Sequence, residues 1–376
     1  MEMIRQVKPD EGEMIRAFAQ TVFAAEGGPA DFAQLLPKVY RSPQDSARQH
    51  LLLEEEGKIQ GLLLRTVTQL SAGGRMLPVG HIGSVCVAPA YRGRGAMSRL
   101  LSCAVEDLRR DGCALIVLSG QRQRYEHAGF IPTGVKTEFL FEEANVRGAD
   151  ADGYELRPLD GTADLARAHA LFMSDGVHML RPGEAFADIL ASWQARPLAL
   201  YHHGRFTGYC TLVHQADSTV LSEVRLLHAQ ALAPLCLLLL QQGHGKLKLC
   251  LRSGTSEYAQ AAARCERYHI GPDHGIRVLD FAAVADVLLP LAAARVPGSF
   301  CLGIEGHGGL KLYADTHGAC ACPCSLQEAQ VVLSYAQAVH LLFSPLSAER
   351  QELSPDAPSL AAWLPLPLCL EQNDCC

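Results

Sequence analysis

The sequence predicts a mixed α/β (α+β) protein that contains more than one domain. Its 376 residues are too many for one ordinary core, because a domain usually has about 100–200 residues. Hydrophobic residues make up 48% of the chain and charged residues 19%, which is typical of a folded globular protein. The predicted elements up to Phe141 follow the order β-α-α-β-β-β-loop-α-β-α-β, and part of this order recurs later in the chain.

Charge and hydropathy exclude several classes of protein. The net charge is −7 and there is no basic tract, which argues against a nucleic-acid-binding protein. The N-terminus has no apolar signal core, and the longest apolar run, Ala231–Leu240, is about half a membrane span and contains Pro234. We therefore expect a cytoplasmic protein without a membrane span. Most of the 14 cysteines lie in apolar segments, so we expect buried thiols and no disulfide framework.

One stretch, Ile82–Met97, carries the clearest functional pattern. An apolar strand, Ile82–Val87, is followed by a turn at Pro89 and by the run Arg92-Gly93-Arg94-Gly95. An amphipathic helix begins next, with one apolar face formed by Met97, Leu100, Leu101, Ala104, Val105 and Leu108. Free N–H groups at a helix N-terminus bind phosphate, and glycine lets the backbone approach the anion closely. The stretch therefore predicts an anion-binding loop.

The element order and this motif resemble the Gcn5-related N-acetyltransferases (GNAT). Their hallmark, R/Q-x-x-G-x-G/A, corresponds to Arg92–Met97 here, and Met97 stands where the family usually has glycine or alanine. A bulkier residue at that position fits the Eis-type (enhanced intracellular survival) branch better. The segment Arg124–Phe130, R-Y-E-H-A-G-F, resembles the Y-x-x-x-G-[FY] pattern of the same branch.

The resemblance implies acetyl-coenzyme A (acetyl-CoA) as the co-substrate. The acetyl and pantetheine end would be bound by Val85, Cys86 and Val87, and the pyrophosphate by Arg92, Gly93, Arg94, Gly95, Ala96, Met97 and Ser98. Tyr125 corresponds to the general acid of the family. The structural alternatives are an ordinary strand-turn-helix with a basic turn, and a packed tyrosine before a glycine turn.

The general base is left open by the sequence. In Eis-type enzymes the C-terminal carboxylate enters the first domain's active site, and here that carboxylate belongs to Cys376. The tail Leu364–Leu368 alternates leucine with proline, so it is predicted to be extended and able to dock. His81, at the head of the fourth strand, and a water molecule are the other candidates, and a frayed terminus is the structural alternative.

The second half of the chain repeats the pattern of the first half without its anion site. Gly57 and Gly61 of a predicted hairpin recur as Gly204 and Gly208, 147 residues later. No glycine-rich basic loop lies between Leu227 and Pro234. We predict a catalytic GNAT domain at 1–150, a GNAT-like domain without a pyrophosphate loop at 151–276, and a small sterol-carrier-like domain at 277–376. A capping box at Ser325–Glu328 predicts a helix to about Phe343.

The predicted function is transfer of acetyl to a primary amine on a small polycationic molecule or a lysine side chain. Glu26 and Asp31 are candidates to line a pocket for that amine, although a solvated helix face explains them equally well. The resemblance also implies a homo-oligomer. The alternative function is non-catalytic ligand binding, if Met97 obstructs the loop.

A third interpretation is a metal or redox sensor built on Cys320, Cys322 and Cys324. Zinc sites usually use C-x₂-C pairs, and these three cysteines have a different spacing. We therefore predict no metal site.

Overall fold

The computed structural model describes residues 2–28, 31–292, 296–353 and 357–376. These residues form three β-sheets, each of which contains parallel and antiparallel pairs, so the predicted mixed α/β fold is confirmed. The described helices are α1 (Gly12–Ala24), α2 (Phe32–Leu35), α3 (Pro37–Tyr40), α4 (Pro43–Arg48), α5 (Ala96–Arg110), α6 (Arg122–Tyr125), α7 (Thr162–Met173), α8 (Phe186–Ala191), α9 (Leu232–Gln241), α10 (Ser256–Arg264), α11 (Phe281–Leu288), α12 (Tyr335–Phe343), α13 (Ala348–Leu353) and α14 (Pro358–Trp363).

The first sheet has the strand order β1-β2-β3-β4-β5-β15-β6, and β9 pairs with β3. Its strands are β1 (Glu2–Gln6), β2 (His50–Glu55), β3 (Lys58–Ala72), β4 (Arg75–Val87), β5 (Leu115–Leu118), β6 (Ile131–Thr133), β9 (Val177–Met179) and β15 (His274–Val278). Helix α5 packs on this sheet through the predicted apolar face. A Cβ atom at Gly80 would lie 2.8 Å from Leu108 Cδ1, so glycine permits the close approach of helix and strand.

The second sheet has the order β8-β10-β11-β12-β13-β7-β14, in which each strand takes the position of its counterpart in the first sheet. Its strands are β7 (Lys136–Phe141), β8 (Tyr154–Pro158), β10 (Arg196–His202), β11 (Arg205–His214), β12 (Thr219–Leu226), β13 (Leu247–Leu251) and β14 (Arg267–Gly271). The repeated hairpin is confirmed in detail: the register shifts after Leu53 in β2 and after Leu200 in β10, and 200 − 53 = 147.

The two sheets exchange one strand. Strand β7 precedes the predicted boundary at residue 150 but lies between β13 and β14 in the second sheet. Strand β15 comes from the following segment but lies between β5 and β6 in the first sheet. Each sheet is therefore completed by a strand from the other segment, and the division at residues 150 and 276 stays a prediction.

The third sheet has the order β18-β17-β16-β19 and belongs to the C-terminal part of the chain. Its strands are β16 (Gly298–Ile304), β17 (Gly308–Ala314), β18 (Ala319–Cys324) and β19 (Val331–Leu333). The helix predicted from Ser325 is wrong in its first half. The capping box at Ser325 starts one 3₁₀ turn, and Val331–Leu333 then pairs with β16, because β-branched residues fit a sheet better than a helix. The helix itself begins at Tyr335.

Candidate active site

Strand β4 contains a β-bulge where the site begins. Gly83 pairs with Leu64 and Cys86 pairs with Leu62, so two residues of β4 face one residue of β3. Ser84, in the bulge, has φ of 48°. The ladder between β4 and β5 ends at Ile82 and Leu118, although β4 continues to Val87. Because bulges bend a strand and interrupt its pairing, the two strand ends leave a gap in the sheet.

A cavity of about 410 Å³ lies beside this gap. Every residue predicted to bind acetyl-CoA lines it except Arg94, whose guanidinium lies 5.7 Å from the centre of the Tyr91 ring. The remaining walls come from the end of α1 and from Arg124. The structure therefore brings the predicted cofactor residues together around one space.

The loop before α5 has the conformation that an anion site requires. Gly93 and Gly95 adopt left-handed φ values of 74° and 75°, and Gly95 is the N-cap of α5. No heavy atom would lie within 4 Å of a Cβ at either glycine, so the space beside the loop is open. The first N–H groups of a helix lack intrahelical partners, so those of α5 suit a diphosphate. Met97 packs against the apolar core under α5 and also lines the cavity.

Glu26 lies on the cofactor side of the site. Its carboxylate is 2.7 Å from the Arg92 guanidinium and 3.9 Å from that of Arg124. Arg92 Nε also donates to the carbonyl oxygen of Val87 at 3.2 Å. Asp31 instead accepts from two backbone N–H groups at the start of α2. The role of Glu26 and Asp31 in binding the amine stays a prediction.

Replacing Glu26 with glutamine is expected to raise the affinity for acetyl-CoA, because the carboxylate competes with the diphosphate for Arg92. An exposed ion pair contributes up to about 1 kcal/mol, so the dissociation constant should fall up to about fivefold by calorimetry. If Glu26 binds the acceptor amine instead, the KM of the acceptor will rise and the cofactor affinity will stay constant.

Tyr125 lies at the end of α6, with 9% of its surface exposed. Its ring packs against Gly120, where a Cβ would lie 2.5 Å from a ring carbon. Burial raises the pKa of the phenol, Arg124 lowers it slightly, and the Cys86 thiol adds to the increase. The hydroxyl is therefore protonated at neutral pH and can donate. Tyr125 lines a different cavity, of about 190 Å³, together with Gly120 and Phe130.

The C-terminus reaches the first sheet at the bulge. A Cβ on Gly83 would lie 2.6 Å from the carboxyl carbon of Cys376 and 2.8 Å from its oxygen. Tyr40 and Cys86 belong to one apolar cluster, and the Cys376 side chain packs against it. The structure thus places the terminal residue beside the cofactor residues of β4, and its role as a base stays a prediction.

His81 is buried, with 1% of its surface exposed. Its Nε2 lies 2.7 Å from Thr68 Oγ1, and its Nδ1 has no hydrogen-bond partner among the described residues. Burial lowers the pKa of His81 to about 3, and the charges of Lys38 and His274 contribute. A group with this pKa accepts protons poorly at neutral pH, so His81 is a weak candidate for the base.

A chain of hydrogen bonds that the sequence did not indicate reaches Ser84 in the bulge. The Tyr40 hydroxyl lies 2.6 Å from Ser84 Oγ and 3.0 Å from His50 Nε2, and His50 Nδ1 lies 2.7 Å from the Ser46 carbonyl oxygen. Burial lowers the pKa of His50 to about 4, so the ring is neutral. Because a carbonyl only accepts, the proton of the neutral ring is on Nδ1. No local pattern could have paired residues so far apart.

The three cysteines of β18 lie on an edge strand, with Cys320 and Cys322 exposed. Among the residues that the structure describes, no group of three or more His, Cys, Asp or Glu side chains could hold a metal ion. In the same described ranges, no helix is long and apolar enough to cross a membrane.

Comparisons with known proteins agree with this geometry. Residues 3–132 match the family model of the GNAT acetyltransferase domain. A probable N-acyltransferase from Enterococcus faecalis has a TM-score of 0.71 at 14% identity, over 98% of this chain and 97% of that chain. A GCN5-related N-acetyltransferase from Kribbella flavida has a TM-score of 0.69 at 18% identity, over 96% of this chain and 95% of that chain. Eis1 from Mycobacterium abscessus has a TM-score of 0.65 at 15% identity, over 99% of this chain and 98% of that chain.

No curated protein matches this chain in sequence. The three structures named above are below 25% identity, so they establish the fold alone. Residues 3–132, which contain the glycine-rich loop and Tyr125, thus match a GNAT acetyltransferase domain, and the whole chain shares its fold with structures described as N-acyl- or N-acetyltransferases.

Proposed function

We propose that this chain is an acetyl-CoA-dependent N-acetyltransferase that acetylates a primary amine. One observation carries the proposal: the anion-binding loop and residues 85–87 line one open cavity, and the carboxyl end of Cys376 lies against Gly83 at the bulge of the same strand. The cavity beside the loop is open and lined by arginine, and it therefore fits a diphosphate-bearing thioester.

Separate residues of the site would bind the co-substrate and transfer the protons. Val85, Cys86 and Val87 form the wall along which the acetyl end would lie, and Arg92 with the N-terminus of α5 would bind the diphosphate. Much of the rate enhancement would come from this positioning. The terminal carboxylate of Cys376 would accept a proton from the amine, and the Tyr125 hydroxyl would donate one to the leaving thiolate.

The finer assignments are part of the same proposal. The two sheets of equal strand order represent tandem GNAT-like units, of which only the first has the glycine-rich loop, and the third sheet represents a compact sterol-carrier-like unit. The acceptor is a small polycationic amine or a lysine side chain, the protein acts in the cytoplasm, and it forms a homo-oligomer. The open space beside Gly93 and Gly95 favours catalysis over the non-catalytic alternative.

Calorimetry with acetyl-CoA tests the proposal first. The parent protein is expected to bind, and the double variant Arg92→Glu/Arg94→Glu is expected to lose at least about tenfold in affinity, because charge-assisted hydrogen bonds to the diphosphate are lost. The matched control, Arg109→Glu/Arg110→Glu, makes the same charge change at the other end of α5 and should bind as the parent does. A parent protein that does not bind acetyl-CoA would favour the non-catalytic alternative.

A further inference from the structure

The last four residues are held by side chains from separate parts of the chain. Lys38 Nζ donates to the carbonyl oxygens of Asn373 and Cys375, at 2.6 and 2.7 Å. Trp193 Nε1 donates to the same Cys375 oxygen at 3.0 Å. The Cys375 thiol, 1% exposed, lies 3.2 Å from His274 Nε2. A terminus with this many contacts is fixed in place and is not frayed.

Arg181 makes an ion pair with the tail. This residue follows β9, and 1% of its side chain is exposed. Its guanidinium makes two hydrogen bonds to Glu223 of β12, at 3.0 and 2.8 Å. It makes two more to Asp374, at 2.8 and 3.1 Å. The Tyr209 hydroxyl donates to the Glu223 carboxylate at 2.5 Å, and the Arg181 guanidinium lies 3.7 Å from the centre of the Phe172 ring. Arg181 therefore joins the second sheet to the tail.

Stability alone is a poor explanation for this arrangement. Burial of ionised groups costs several kcal/mol per ion, and apolar side chains of similar volume often give equal or better stability. Two bidentate contacts to one planar guanidinium instead define the position and orientation of both carboxylates. Asp374 lies two residues before the terminal carboxylate, and Cys376 contacts Gly83 directly. The position of Asp374 therefore determines where the chain can end.

We propose that Arg181 and Glu223 are positioning residues, which hold Asp374 so that the terminal carboxylate lies at the bulge of β4. This inference rests on the proposed function of that carboxylate. It assigns a task to the second sheet, whose segment between Leu227 and Pro234 has no glycine-rich loop. The sheet fixes the end of the chain in the active site of the first sheet.

The test compares Asp374→Ala and Asp374→Asn with the parent protein. Both variants leave Arg181 paired with Glu223, so no buried charge loses its last partner and the protein should fold. In Asp374→Ala we expect kcat to fall at least about tenfold, with the KM for acetyl-CoA within about twofold of the parent value. The kcat of Asp374→Asn should lie between the values for the parent and for Asp374→Ala, because its amide oxygen still accepts one hydrogen bond from Arg181.

A second readout does not depend on activity. The chain has two tryptophans, and Trp193 reports on the tail because its indole donates to Cys375. The emission of Trp193 in Asp374→Ala should move to longer wavelength and become more accessible to acrylamide. A Trp193→Phe variant gives the contribution of Trp363, which is buried and bonded to Val296.

The matched control is Glu54→Gln, which breaks the partly buried ion pair with Arg5 between β1 and β2. It should change neither the emission nor kcat by more than about twofold. Unchanged Trp193 emission in Asp374→Ala would overturn the positioning role, whatever the activity. Shifted emission with parental kcat would also overturn it. A parent protein without acetyl transfer would instead overturn the proposed function, and the emission would still decide whether Asp374 holds the tail.

Discussion

Replacing Tyr125 with phenylalanine is expected to lower kcat by about 10²-fold or more and to leave the affinity for acetyl-CoA unchanged. The substitution removes one hydroxyl and keeps the ring, so the packing against Gly120 is retained. Without the donor, the thiolate must leave unprotonated or wait for a proton from water. Steady-state kinetics gives kcat, and calorimetry gives the dissociation constant of acetyl-CoA.

The pH dependence of activity shows whether the effect belongs to the Tyr125 hydroxyl. Burial raises the pKa of Tyr125 above its usual value, so the phenol is protonated across neutral pH and is lost as a donor only in strongly alkaline solution. The parent protein should therefore keep its activity into the alkaline range, and any alkaline decrease that belongs to Tyr125 should be absent in the variant. Tyr258→Phe, which removes a hydroxyl beside Phe139 in the second sheet, is the matched control. Parental turnover in Tyr125→Phe would remove this residue from the mechanism.

The part of the site that could be predicted from sequence is encoded locally. Strand β4, the glycine loop and the apolar face of α5 follow one another within a single stretch, and each has its own pattern. Tyr125 was predicted from a motif of six residues. The repeated hairpin was predicted because a pair of glycines recurs at the same spacing, and the structure gives Gly57 and Gly204 the same φ of 74°.

The rest depends on contacts between distant segments. The sequences of β7 and β15 show that they are strands, but nothing in them specifies which sheet they join. Arg181 and Asp374 are 193 residues apart, and charged residues are normally exposed, so no sequence pattern indicated that these two residues are paired or buried. The capping box at Ser325 was a correct local signal, but pairing of Val331–Leu333 with β16 ended the helix after one turn.

Deleting Cys376 alone is expected to lower kcat by about 10²-fold, because it withdraws the carboxylate from Gly83 by one residue, about 3.8 Å along the chain. The deletion keeps Asp374 bonded to Arg181 and keeps the buried Cys375 thiol beside His274. The melting temperature should therefore change by only a few degrees. Removal of all three residues from Asp374 to Cys376 is a less specific test, since it also leaves Arg181 without one of its partners.

Two further variants separate the carboxylate from the side chain that carries it. Cys376→Ala keeps the terminal carboxylate and removes the thiol, so it should lose far less activity than the deletion. One alanine added after Cys376 converts the carboxylate into a peptide group and should resemble the deletion, because Gly83 leaves no room beside the last residue. If the deletion and the extension both retain parental kcat, the base is not the terminus. His81 is buried and its pKa is about 3, so water would then be the remaining candidate to take the proton.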